Sequence, residues 1–192
     1  MSELDENSRL KLLRIARSAI VADLFGGPPV DMEETIGRLP PRGVFVTLRK
    51  FGALRGCIGT FTPEHGLAEA VRSMAAAAAH DPRFTNCPIS AAELRDFHIE
   101  ISVLSALERR SGPLDFELGR HGIYIRRGGR SGCFLPDVAT ERGWDRETFL
   151  SQCCQQKVGI DPLAWREPDT EVLVFSVEKF GDGAVRSSPM RM

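Results

Sequence analysis

Two very short links between strand-like runs constrain this chain more than any other feature. "GVFVTLR" (43–49) and "LRGCIGT" (54–60) are separated only by "KFGA", and "HGIYIRRGGRSGCFLP" (121–136) folds back at Gly128-Gly129. Links this short make neighbouring strands antiparallel, because a parallel return needs a crossover of a dozen or more residues. A helical pattern and one further strand follow each hairpin. The order helix, hairpin, helix, strand, hairpin, helix, strand predicts an α+β fold, a mainly antiparallel sheet flanked by helices rather than a doubly wound one. Hairpin, helix and strand occur twice, at 43–105 and 121–180, which reads as two repeat-like halves. No linker separates them, so a single domain over 8–180 is expected, with a flexible tail at 181–192.

Periodicity places the remaining elements. Leu10, Leu13, Ala16, Ile20, Val21 and Leu24 recur at helical spacing after Ser8, the expected N-cap, until "GGPP" (26–29). A loop and a short helix are expected through "DMEETIG" (31–37). The next helix opens at Pro63 and Glu64, and Leu67, Ala70, Val71, Met74, Ala75 and Ala78 give it a stripe of small residues suited to close packing on a sheet. Pro82 stops it by disfavouring helix at Asp81. "AAELRD" is a short helical turn. In "HIEISVLS" (98–105), Ile99, Ile101 and Val103 share one face, and His98, Glu100 and Ser102 the other. "WDRETFLSQCCQQKVG" is a helix capped by Asp145 and stopped at Gly159, and "EVLVFSVEKF" (171–180) is the last strand.

Composition excludes several function classes. A net charge of -1 argues against a nonspecific polyanion binder, so nucleic acid is not an expected partner. No apolar run reaches membrane-spanning length, and the acidic start "MSELDENSRL" is unlike a signal peptide. Five cysteines, an odd number without framework spacing, point to free thiols in a reducing cytoplasm. No metal site is expected: zinc-ligand spacing is missing, and the helical neighbours Cys153 and Cys154 point about 100° apart. Phosphate-binding loops, dinucleotide fingerprints, nucleophile elbows and zinc-protease motifs are all absent.

"LRGCIGT" holds the chemistry. Strict alternation puts Arg55, Cys57 and Gly59 on one face and Leu54, Gly56 and Ile58 on the other. A guanidinium beside a thiol favours the thiolate, and Gly59 would leave open space beyond it. The competing reading is a small buried thiol that only packs. In "HDPRF", Asp81 and Arg83 flank a proline and make a local ion pair or a cleft wall. Glu100 is solvated, paired with Arg55 or Arg83, or a base. Arginine outnumbers lysine 21 to 4. Composition bias explains such a ratio; forked recognition of carboxylate or phosphate is the alternative. The basic hairpin Arg120, His121, Arg126, Arg127 and Arg130 reads as solvated, with RNA binding the weaker option.

Taken in order, "LRGCIGT", "HDPRF", "IEISVLS", "HGIYI" and "FLPDVATERGWDRETFL" resemble the AMMECR-type domain, known in bacteria and archaea as AmmeMemoRadiSam system protein A; the resemblance spans about 10–180. It implies an α+β fold of two unequal sub-structures with a cleft between them, and places Arg55, Gly56, Cys57, Asp81, Arg83, Glu100 and Ser102 on motif positions. "CFLPD" departs from the family's usual leucine-leucine-proline-glutamine at Cys133 and Asp137. The resemblance supplies no settled activity and no cofactor. The partners it implies are a Memo-like protein and a radical SAM protein. Two functions follow as expectations. One is a small enzyme or catalytic subunit acting on a small anionic substrate, with Cys57, Arg55 and Glu100 catalytic and Gly56, Gly59, Asp81, Arg83 and Ser102 binding substrate. The other is a noncatalytic adaptor for those partners.

Overall fold

The computed structural model describes residues 4–28 and 39–182; the loop and helix expected at 31–37 lie outside the described residues. The chain forms two compact units, Met1–Val103 with Glu178–Met192, and Leu104–Val177.

In the first unit, helix α1 (Glu6–Phe25) precedes the hairpin of β1 (Val44–Lys50) and β2 (Ala53–Thr60), then α2 (Leu67–Ala79) and β3 (Phe97–Leu104). Both β2 and β3 pair antiparallel with β1, which lies between them. Val44, Val46 and Leu48 of β1 and Ile99, Ile101 and Val103 of β3 form one apolar face. Leu12, Ile15, Ala16 and Ile20 of α1 and Ala70, Val71, Ala75 and Ala78 of α2 belong to the same core. The stripe of small residues lets α2 approach closely: a Cβ on Gly56 would stand 2.0 Å from the Ala78 carbonyl oxygen.

Two helix starts differ from the expectation. Asp5, not Ser8, caps α1, its carboxylate accepting the Ser8 amide at 2.7 Å. The carboxylate sits one turn earlier and takes the amide that Ser8 would have left free. The second helix starts at Leu67 with Gly66 as cap, four residues beyond Pro63, because the Leu67 amide bonds the Leu39 carbonyl at 3.3 Å. Asp81 is extended, as Pro82 requires, and a single 3₁₀ turn (Pro82–Phe84) follows.

The hairpin turn holds Phe51 and Gly52 at φ 50° and 84°, the left-handed pair that a two-residue connection needs. Phe51 is also 81% exposed, so it has little packing to offset a conformation that suits glycine. Phe51→Gly is therefore expected to stabilise the protein by about 0.5–1 kcal/mol, read as a higher urea midpoint with unchanged slope. A lower midpoint would show that the aromatic ring contributes more than the turn costs.

The second unit repeats the hairpin, helix, strand order. Strands β5 (His121–Arg127) and β6 (Arg130–Phe134) turn at Gly128-Gly129, φ 54° and 79°. Helix α3 (Pro136–Arg142), absent from the sequence reading, precedes α4 (Arg146–Cys153). Its signals were Pro136 at the first position, Asp137 in the first turn and left-handed Gly143 at the end. Asp145 caps α4 as expected; the helix widens to a π turn over Cys154–Val158 and stops at Gly159. The last strand, β7 (Glu171–Gly181), pairs antiparallel with β5 and with the short β4 (Glu108–Arg109). Phe116, Ile123, Phe134, Phe149, Leu150 and Val174 are in this core, and Cys153 and Cys154 are buried in it. Burial pushes the Cys153 thiol well above the ordinary range.

Residue 178 onward belongs to the first unit. Asp182 accepts the Ile99 amide at 2.9 Å and its own amide bonds the Ile99 carbonyl at 3.2 Å. Gly181 and Asp182, the first two residues of the expected tail, are thus held to the sheet; residues 183–192 lie outside the described residues.

Candidate functional site

Every residue singled out from the sequence for the site lies in the first unit. Its geometry starts from an irregularity in the hairpin. Leu48 opposes Gly56, but Arg49 opposes Leu54, which leaves Arg55 as the extra residue of a bulge. Beyond it the register places Thr47 opposite Cys57 and Phe45 opposite Gly59. On its other side β1 sets Thr47 opposite Glu100 and Phe45 opposite Ser102. One row across the three strands therefore carries a thiol, a hydroxyl and a carboxylate. It lies on the face away from α2, because Gly56 points at that helix.

Strand β2 is an edge in this unit, so the outward amide and carbonyl of Cys57 need partners from elsewhere. Asp81 and Arg83 supply them. The Cys57 amide donates to Asp81 Oδ2 at 2.9 Å, and Arg83 Nη2 donates to the Cys57 carbonyl at 3.1 Å. The Asp81 carboxylate also accepts from the Arg83 backbone amide at 3.0 Å, from Nε at 3.0 and 3.2 Å and from Nη2 at 2.6 Å. Asp81 is 3% exposed. Its hydrogen bonds from Arg83 outweigh the cost of burial and hold its carboxyl well below the usual range, at about 2. Since the Cys57 backbone faces outward, Cys57 and Thr47 form a non-hydrogen-bonded pair, the kind whose side chains approach most closely. Thr47 Oγ1 accordingly lies 3.3 Å from Cys57 Sγ as donor.

Arg55 does not bond the thiol. The bulge turns its side chain to Glu93 Oε1 at 3.2 Å and the Cys87 carbonyl at 3.0 Å, with the guanidinium 5.4 Å over the Phe97 ring. Lys50 and Ser90 also bond Glu93, which holds that carboxyl far below its ordinary value. Glu100 pairs with neither Arg55 nor Arg83 but lies 3.6 Å from Lys179 Nζ. The open space expected beyond the thiol is filled, since a Cβ on Gly59 would stand 2.2 Å from the Phe45 ring. Phe45 in turn meets Phe61 edge-on at 5.6 Å. Ser102 is 1% exposed, a buried residue rather than a solvated one.

Thr47, Glu93 and Lys179 were missed. Counting back from the turn without a bulge sets Thr47 opposite Gly56, so the sequence hid its approach to the thiol. A lone polar residue in the apolar run "VFVTL" (44–48) was the signal available. Among the described residues no group of three His, Cys, Asp or Glu could hold a metal ion, and no helix is long and apolar enough to cross a membrane. In the second unit the hairpin arginines are already engaged: Arg126 with Glu171, Arg127 with Asp169, Arg120 with Glu117, and Arg130 with the Gly159 carbonyl.

Comparison with known proteins agrees with this architecture. Protein MK0488 of Methanopyrus kandleri is 42% identical over 179 residues, covering 88% of this chain and 86% of that protein. A protein of Thermococcus gammatolerans is 38% identical over 199 residues, covering 93% and 94%. The crystal structure of the uncharacterised protein PH0010 from Pyrococcus horikoshii matches with a TM-score of 0.80 at 38% identity, over 93% of this chain and 92% of that one. The AMMECR1 family model matches residues 13–180, so the chain belongs to the AMMECR1 family.

Proposed function

We propose that the protein is a small cytoplasmic enzyme or catalytic subunit whose reactive group is the Cys57 thiol, acting on a small anionic substrate. One observation carries the reading: both backbone polar groups of Cys57 are gripped, the amide by the buried Asp81 and the carbonyl by the exposed Arg83 paired with it, while a hydroxyl donor meets its sulfur. A hydroxyl at the sulfur and a fixed backbone together set the direction in which the thiol meets a substrate. In this reading Glu100, across from Thr47, is the base or orienter, and Lys179 beside it attracts the substrate's charge. Asp81 and Arg83 are positioning residues, Gly56 and Gly59 admit Ala78 and Phe45, and buried Ser102 stands opposite Phe45 on β1. Arg55 supports the bulge instead of activating the thiol.

Competitive alkylation with iodoacetamide, followed by peptide mass and with Cys57→Ala as control, tests this. Cys87 is exposed and Cys57 half-buried. The expected result is that Cys57 nevertheless reacts faster than Cys87 in the native protein, and that Thr47→Val slows Cys57 severalfold while leaving Cys87 unchanged. Cys153 and Cys154 should stay silent until the protein unfolds. A Cys57 that is equally silent would refute the enzyme reading.

A second reading, a noncatalytic adaptor for Memo-like and radical SAM partners, is favoured by the engagement of Arg55 and Arg83 with carboxylates, which leaves neither guanidinium bonded to the thiol. It requires that Cys57→Ser leave complex formation with those partners intact.

A further inference from the structure

The second unit contains an open cavity of about 390 Å³ between the turn that follows β4 and the segment leading into β7. None of the residues discussed for the thiol site contributes to it. We propose that it binds a small phosphate monoester, with the phosphate held by Arg109, Arg110 and Arg166 and the organic part resting against Pro113, Pro168 and Val172.

Three observations converge. The first is the charge of the lining: three guanidinium groups, with Glu167 the acidic lining residue. Arg109 pairs with Glu171, Arg110 with Glu108 at 3.0 Å and Arg166 with Glu147 at 2.8 Å, and the arginine side chains are 71%, 38% and 51% exposed. Ion pairs this exposed contribute little to stability, so their arginines can exchange a carboxylate for an incoming anion at small cost. A phosphate dianion offers three acceptor oxygens to the forked donors that arginine presents and lysine does not. The second observation is Thr170, which lines the same cavity: its Oγ1 is buried and has no hydrogen-bond partner. A buried hydroxyl without a partner is unfavourable, and a turn about χ1 that brings it from its closed position to the cavity wall would let a ligand oxygen satisfy it. Ser111, also in the lining, is committed to Asp115 at 2.7 Å and does not serve. The third is the size and the apolar wall. The volume lies within the roughly 300–1,000 Å³ typical of small-molecule sites and exceeds what bare phosphate fills. The Trp165 indole is fixed by its Nε1–H bond to Ser151 Oγ at 3.0 Å, and the Arg166 guanidinium lies 4.7 Å over its ring. With Trp165 only 5% exposed and its ring covered by Arg166, the apolar part of the wall is narrow and is made chiefly by Pro113, Pro168 and Val172, which suits a compact sugar or nucleoside carrying one phosphate.

Isothermal titration of the full chain at low salt with adenosine monophosphate, glucose 6-phosphate, inorganic phosphate and citrate tests the proposal. At least one ester is expected to bind with Kd below about 1 mM, at least tenfold tighter (order of magnitude) than inorganic phosphate. Arg166→Ala and Arg109→Ala should each weaken it by about tenfold. Thr170→Val should weaken it by about three- to tenfold, with circular dichroism unchanged. Arg166→Lys, which retains the charge but not the fork, serves if the alanine variant fails to fold and should also weaken binding. The proposal is overturned if neither ester binds more tightly than inorganic phosphate, if citrate binds more tightly than both, or if ester binding survives both arginine substitutions.

Discussion

Gly56→Ala is expected to destabilise the protein by about 3 kcal/mol or more, at or above the upper end of ordinary overpacking costs. The added Cβ would stand 2.0 Å from the Ala78 carbonyl oxygen and 3.0 Å from its carbon. Both atoms are backbone, so no rotamer change relieves the clash. Either β2 leaves α2 or the end of the helix moves, and the second course also displaces Asp81, whose amide bonds that same carbonyl at 3.4 Å. Urea unfolding against wild type measures the effect. Gly112→Ala, where nothing lies within 4 Å of the added atom and the backbone is not left-handed, should cost far less. A Gly56→Ala cost below about 1 kcal/mol would mean that the helix and the strand are not in such close contact.

Asp81→Asn has the second large effect, about 2–4 kcal/mol at neutral pH. The amide cannot match a carboxylate that accepts from the Cys57 amide and from three Arg83 nitrogens, and Arg83 then bonds the Cys57 carbonyl without its counter-charge. The effect depends on pH in a defined direction. The native carboxyl is depressed to about 2 from the ordinary 3.8, so the charged form stabilises the fold fully above about pH 4. That contribution is lost as the pH falls from 3.8 through 2, and only below that do the folded and unfolded states bind the proton alike. The gap in unfolding free energy between wild type and Asp81→Asn should therefore be widest at pH 7 and shrink markedly by pH 2.5. A gap independent of pH would assign the loss to shape instead of charge. Because Asp81 positions Cys57, the variant should also slow alkylation of Cys57 relative to Cys87.

Both substitutions show where the sequence was legible. Gly56 was conspicuous as a glycine in a strand, and the stripe from Ala70 to Ala78 announced a helix lying close to a sheet; together they are one packing interaction. Asp81 and Arg83 were legible as a local pair because only a proline separates them. That their bonds extend to the backbone of Cys57 was not legible, since the contact spans 24 residues. Arg55 shows the opposite outcome. Alternation set it beside the thiol, and a single extra residue in the ladder sent it to Glu93.

The sequence by itself determined the local elements: the short hairpin links at 50–53 and Gly128-Gly129, the break at Asp81-Pro82, the Asp145 cap, and hence an antiparallel α+β fold. Each is set by backbone sterics or hydrogen bonding within a few residues, so the pattern is written where it acts. The tertiary structure decided which side chains meet. The bulge at Arg55 is fixed by Glu93, Cys87 and Phe97, residues more than thirty positions away that come together only when α2 and β3 are in place. That one-residue shift in register, invisible to periodicity, puts Thr47 rather than an arginine against the thiol of Cys57.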